Sequence, residues 1–159
     1  MNTLTMYRRL SGLPFGRELF SKAVCRIAPY FSSINPTIET LEPGLVKVSI
    51  RNRRSVQNHL KTVHAIAMCN MAELAGGMMT DISIPKGARW IPAGMTVKYL
   101  KKAKTDLTAI ADGRSIDWNT NGDIVVPVEI SNTEGELVFT AHITMNVKQA
   151  EQASLKAAA

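Results

Sequence analysis

The sequence predicts an α+β fold in which a curved antiparallel β-sheet wraps one long central helix. Three observations carry this expectation. Residues Val63–Met79 are apolar on almost every side, so a helix there needs cover all round rather than along one stripe. The segments that follow alternate apolar and polar residues with period two, the mark of half-buried strands. Strands in succession around a single long helix point to an α+β arrangement with an antiparallel sheet.

A chain of 159 residues favours one domain and can bury a core without disulfide staples. Cys25 and Cys69 are the two cysteines. They are far apart and form no CxxC pair, so no metal or redox site is indicated. The chain lacks a run of about 18 apolar residues, so no membrane partner is expected and a cytoplasmic location is. The formal net charge is +6. That suits an anionic partner such as a nucleotide phosphate, or simply a solvated basic surface. Nucleic acid is not the expected partner, because the basic residues are not interleaved with stacking aromatics and no recognition motif occurs.

Residues 1–33 are rich in Arg and Ser and contain one acid, Glu18, which loosely matches a transit peptide. Against removal, Leu19, Phe20, Ala23, Val24 and Ile27 recur at helical spacing between Pro14 and Pro29. We read the segment as a helical extension packed on the domain. The domain proper then spans residues 34–148. An Ala-rich tail, residues 149–159, reads as a frayed helix.

Within the domain, Val46, Val48 and Ile50 alternate with polar residues over Gly44–Asn52, a half-buried strand. A basic, polar connection leads to the central helix, whose last turn is weakened by Gly76 and Gly77. Pro85, Gly87, Pro92 and Gly94 predict a loop around Arg89–Trp90. Strands are expected at Met95–Tyr99, Leu107–Ala111, Ile124–Ile130 and Leu137–Lys148. Pro127 pushes the third of these toward a sheet edge or a bulge. Thr133-Glu134-Gly135 reads as a hairpin turn.

The polar residues of the central helix, His64, Asn70 and Glu73, are the candidates for chemistry. Glu73 sits among Ala72, Leu74, Ala75 and Gly76; burial there would raise its pKa and suit a general base. Its bland alternative is a structural carboxylate paired with Lys or Arg. The helix N-terminus near His64–Ala65 offers free N–H groups and partial positive charge, a setting for an oxyanion. His64 could equally be a helix cap and Asn58 a turn-capping residue. Asn70 and Cys69 read as interior residues, and Gly76–Gly77 as close packing or as room for a ligand. His64 and Glu73 lie nine residues apart, so they point to opposite sides, separated by about 13.5 Å along the axis. One helix cannot bring Glu73 to its own N-terminus, whereas a second, antiparallel copy of the chain could, giving two sites across a twofold axis.

Asn58 precedes His64 by six positions, and Glu73 follows it by nine. With Asn58–Glu73 and the later segment Pro92-Ala93-Gly94-Met95-Thr96-Val97-Lys98-Tyr99-Leu100, this pattern resembles the hotdog-fold acyl-CoA thioesterases, phenylacetyl-CoA-type enzymes in particular. The resemblance covers roughly Gly44–Lys148. The segment Ala28-Pro29-Tyr30-Phe31 looks like an uncharacterised bacterial branch of that superfamily. The resemblance implies a hotdog fold, an acyl-CoA or related thioester substrate, and a site built across a homodimer or a dimer of dimers. It implies Glu73 as base or nucleophile, the Ala65 N–H as oxyanion donor, Asn58 as the residue that positions water or substrate, and His64 beside them. No cofactor is required beyond the coenzyme A moiety of the substrate. Arg53, Arg54, Lys101 and Lys102, with Arg51, Lys98 and Lys104, are candidates to meet its phosphates, or are solvated loop residues. The family's His-Gly-Gly is His64-Ala65-Ile66 here. That departure motivates an alternative, a non-catalytic acyl-thioester or lipid-binding protein on the same scaffold. A hotdog dehydratase is a third reading, against which the thioesterase-like spacing argues.

Overall fold

The computed structural model describes residues 2–150; the expected tail beyond Ala150 lies outside the described residues. Helices α1 (Thr3–Ser11) and α2 (Gly16–Ile27) open the chain, followed by a 3-10 turn at Pro29–Ile34. Then come β1 (Thr37–Glu42), β2 (Leu45–Ile50), the central helix α3 (Ala65–Ser83), β3 (Arg89–Tyr99), β4 (Leu107–Asp112), β5 (Gly122–Asn132) and β6 (Leu137–Lys148). The strands form one six-stranded sheet in the order β1-β2-β4-β5-β6-β3, antiparallel at every pairing. Helix α3 packs along the concave side and touches all six strands.

The expected alternation sets the burial. Val46, Val48 and Ile50 of β2 are buried, as are Phe139, Ala141, Ile143, Met145 and Val147 of β6. Opposite them, Met68, Met71, Leu74, Ala75 and Met79 of α3 complete the core. Gly76 is the close-approach point: a Cβ there would lie 2.9 Å from Ile143 Cδ1. Helix α3 therefore continues through both glycines to Ser83 rather than weakening at Met79. A helical glycine costs about 1 kcal/mol, and the packing that its missing side chain permits offsets it.

Helix α1 was not anticipated. Its signals were the Asn2 side chain, which accepts from the Thr5 N–H, and the spacing of Leu4, Tyr7 and Leu10. Helix α2 falls where the helical spacing placed it, and Tyr7, Phe20 and Val24 join the buried core. Tyr7 and Phe20 meet edge to face with centroids 5.1 Å apart. Ser21 couples α2 to the sheet: its Oγ donates to Arg17 O and accepts the buried Ile38 N–H at 2.8 Å. Ser21→Ala leaves that N–H without its acceptor and is expected to cost about 1–3 kcal/mol in denaturant unfolding. An unchanged midpoint would mean that Ile38 finds another partner.

Two expectations about proline are corrected. Residues Arg89–Pro92 belong to β3 and do not form a loop. Because β3 is an edge strand, it accommodates Pro92 with a register shift between Pro92 and Gly94. Pro127 lies in the interior strand β5, not on an edge strand, and pairs with His142. Pairing of β4 with β5 ends at Ala111–Val128, so β5 is locally an edge where the proline N–H is missing.

Candidate active site

The loop before α3 is organised by Asn58. Its Oδ1 accepts the N–H groups of Leu60 (2.9 Å) and Thr62 (3.2 Å), and its Nδ2 lies 2.9 Å from Thr62 Oγ1. Lys61 takes a left-handed conformation in this turn (φ 58°). The Val63 N–H donates to Ala103 O and Asn52 Nδ2 donates to Lys104 O, which binds this loop to the one after β3. The two basic groups named from the sequence thus flank the same end of α3. Arg53 donates to Ser55 Oγ and to Ser33 O, whereas Lys101 pairs with Glu136 at 2.6 Å. That hydrogen bond holds the Glu136 carboxyl below its ordinary range. Arg54 and Lys102 are exposed.

His64 is the N-cap of α3, and its Nδ1 accepts the Ile66 N–H at 3.1 Å. Ala65 is therefore the first helical residue. Its N–H has no acceptor among the described residues, as the first N–H groups of a helix have none within the helix. Asn70 is buried; its Nδ2 reaches Ser33 Oγ at 3.0 Å, while Oδ1 has no partner. Asn70, His64 and Ile66 border a cavity of about 180 Å³, roomy enough for water.

Glu73 departs from the expectation of burial: in the single chain it is exposed. The reason is geometric. Helix α3 is covered by the sheet, by α1 and by the turn at Pro29–Ile34, but a stripe through Ile66 and Glu73 stays exposed. Cys69 lies on that side, with its Sγ 3.4 Å from Tyr99 Oη. This contact, aided by partial desolvation, raises the phenol above its ordinary range. Both cysteines are free thiols. Glu73 makes no hydrogen bond or ion pair among the described residues. Glu73 borders an apolar cavity of about 410 Å³ between α3, the N-terminal helices and the start of β3.

The structure thus gathers Asn58, His64 and Ala65 at one end of α3 and leaves Glu73 two turns away. Sequence reasoning offered Gly76–Gly77 as room for a ligand but missed the other walls of the cavity, Met6, Trp90 and Asp81 among them. A legible signal was the spacing of Glu73, Gly77 and Asp81, which share one helix face at i, i+4 and i+8. His142 is exposed on the outer face of β6. Among the described residues, no cluster of His, Cys, Asp or Glu is placed to hold a metal ion, and no helix is long and apolar enough to cross a membrane.

An antiparallel sheet curved around a central helix is the hotdog fold, and solved thioesterase structures share it. The chain superposes on a probable thioesterase from Pseudomonas aeruginosa with a TM-score of 0.73, at 20% identity over 87% of this chain and 97% of that one. It matches a thioesterase from Haemophilus influenzae at TM-score 0.68 and 15% identity, over 79% and 86% of the two chains. A structural-genomics crystal structure is more similar: TM-score 0.85 and 49% identity over 93% of this chain and 99% of that one. No curated protein matches. The chain belongs to the family described as a domain of unknown function, DUF4442, whose model matches residues 16–147.

Proposed function

We propose that this protein hydrolyses acyl-CoA or a related acyl thioester at a site shared by two copies of the chain. The observation that carries the reading is Glu73, which has no hydrogen-bond or ion-pair partner among the described residues and borders an apolar cavity. An apolar pocket with few polar groups suits an acyl chain, and a free carboxylate beside it suits proton transfer.

Glu73 takes a proton from water as the hydroxyl oxygen bonds to the thioester carbonyl carbon. The electron pair displaced onto the carbonyl oxygen is held by the Ala65 N–H at the positive end of the helix. The carbonyl then re-forms, the C–S bond breaks, and the leaving thiolate takes the proton held by Glu73, which restores the carboxylate. Asn58 and His64 act by fixing the loop and cap that present Ala65. Arg54 and Lys102 stand ready for phosphate oxygens.

Within one chain Ala65 and Glu73 are about 12 Å apart along the helix axis, so the second copy supplies the missing half. Strand β3 supports this. It is an edge strand of 11 residues, with Ile91 63% and Tyr99 51% exposed. A long apolar edge is a template for pairing with another chain. Pairing two β3 strands antiparallel runs the two central helices in opposite directions and brings Glu73 of one protomer toward Ala65 of the other. An active monomer in solution would refute the shared site.

The second reading, a non-catalytic acyl binder, draws on Ile66. This side chain stands where the thioesterase pattern has its second glycine and is 54% exposed beside the oxyanion donor. Free-thiol release across a panel of CoA esters separates the two. Catalysis predicts release above background for at least one ester; binding without release of thiol supports the alternative.

A further inference from the structure

The cavity beside Glu73 has a shape that speaks to the acyl group. Glu73, Gly77 and Asp81 run along it on one face of α3. At the Asp81 end the walls are drawn together. Thr3 Oγ1 of α1 donates to Asp81 Oδ2 at 2.9 Å, and Trp90 Nε1 of β3 reaches Asp81 Oδ1 at 3.5 Å. Trp90 also leans over Gly77: a Cβ at that position would lie 2.9 Å from the ring edge. Met6, Val24 and Phe31 of the N-terminal segment form the roof. Ile27 also borders the cavity yet is 81% exposed, which places it at an open lip.

We propose that this cavity is the acyl chamber and that it selects a straight aliphatic chain of medium length, with the Thr3–Asp81–Trp90 contacts as its end wall. The inference rests on the hydrolytic reading for the position of the thioester carbon, which lies at Glu73. From Glu73 to Asp81 the helix advances about 12 Å. An extended alkyl chain advances roughly 1.25 Å per carbon, given C–C bonds of about 1.5 Å at near-tetrahedral angles. The chamber therefore fits an acyl group of about eight to ten carbons. A ring on a short arm, such as phenylacetyl, fills only the half nearest Glu73 and leaves the far half empty. The N-terminal helices, outside the stretch that carries the thioesterase-like pattern, thereby become the substrate-specificity element.

The experiment measures kcat/KM for acyl-CoAs from acetyl to palmitoyl and for phenylacetyl-CoA, on the wild-type chain and on Gly77→Leu. In parallel, calorimetry follows binding of free decanoate and butyrate to both proteins. The expected profile peaks at octanoyl to decanoyl. Gly77→Leu pushes the Trp90 ring, which lies over Gly77, into the chamber and moves the peak to shorter chains. Its decanoyl-CoA kcat/KM falls by at least about 10-fold, since even one methylene in an apolar pocket is worth that much. Decanoate binding weakens in the same variant while butyrate binding does not. If Gly77→Leu does not fold, Met6→Trp narrows the chamber from the opposite wall and carries the same expectation. A length profile and decanoate affinity that neither substitution moves would overturn the chamber and leave hydrolysis standing. Decanoate binding weakened by the substitution, with no ester hydrolysed by the wild type, would retain the chamber and overturn the hydrolytic reading.

Discussion

Glu73→Gln is expected to lower kcat/KM for thioester hydrolysis by about 10²–10⁴-fold, the usual contribution of a positioned general base. Glutamine keeps the size and polarity of the side chain and removes its ability to take a proton from water. The fold should be indifferent. Glu73 is exposed and has no partner among the described residues, and surface substitutions away from special features change stability by no more than about 0.5 kcal/mol. Thiol release and thermal unfolding on the same preparation check both halves. Turnover at the wild-type rate would remove Glu73 from the mechanism.

Ala65→Pro is expected to lower kcat/KM by about 10²–10³-fold, as loss of one oxyanion donor does. This substitution is unusually clean here. Ala65 is the first residue of α3, the one helical position that proline favours, because its N–H has no helical acceptor. The preceding residue, His64, already has φ −65° and ψ 142°, the extended conformation that a following proline demands. The variant therefore deletes one N–H and leaves the helix in place. Mixing it with Glu73→Gln chains tests the shared site. Statistical re-pairing makes about half of the dimers mixed, each with one intact site, so about a quarter of wild-type activity should return. A site contained within one chain would recover none, since every chain in the mixture carries a lesion.

Much of the fold was legible because period and burial are tied together. The apolar length of α3 and the alternation in β2 and β6 leave few other ways to hide those side chains from water. The misreadings share one cause. Pro92 and Pro127 were judged by local propensity, whereas their placement depends on what lies beside them: an edge strand and the end of a neighbouring strand. Helix α1 was passed over although Asn2 and the Leu4–Tyr7–Leu10 spacing announced it.

The candidate site divides in the same way. Its chemistry-bearing residues were visible because polar side chains are conspicuous in an apolar helix, and helix geometry alone shows that Ala65 and Glu73 cannot meet within one chain. The sequence determined the sheet-wrapped helix and the identity of those residues. Only the tertiary structure decided that Glu73 is open rather than buried, that His64 caps the helix through its ring, and that the N-terminal helices close an apolar cavity beside Glu73. Exposure, capping and cavities depend on which distant segments pack against a residue. Periodicity records which face of an element is apolar, but it does not record what comes to cover that face.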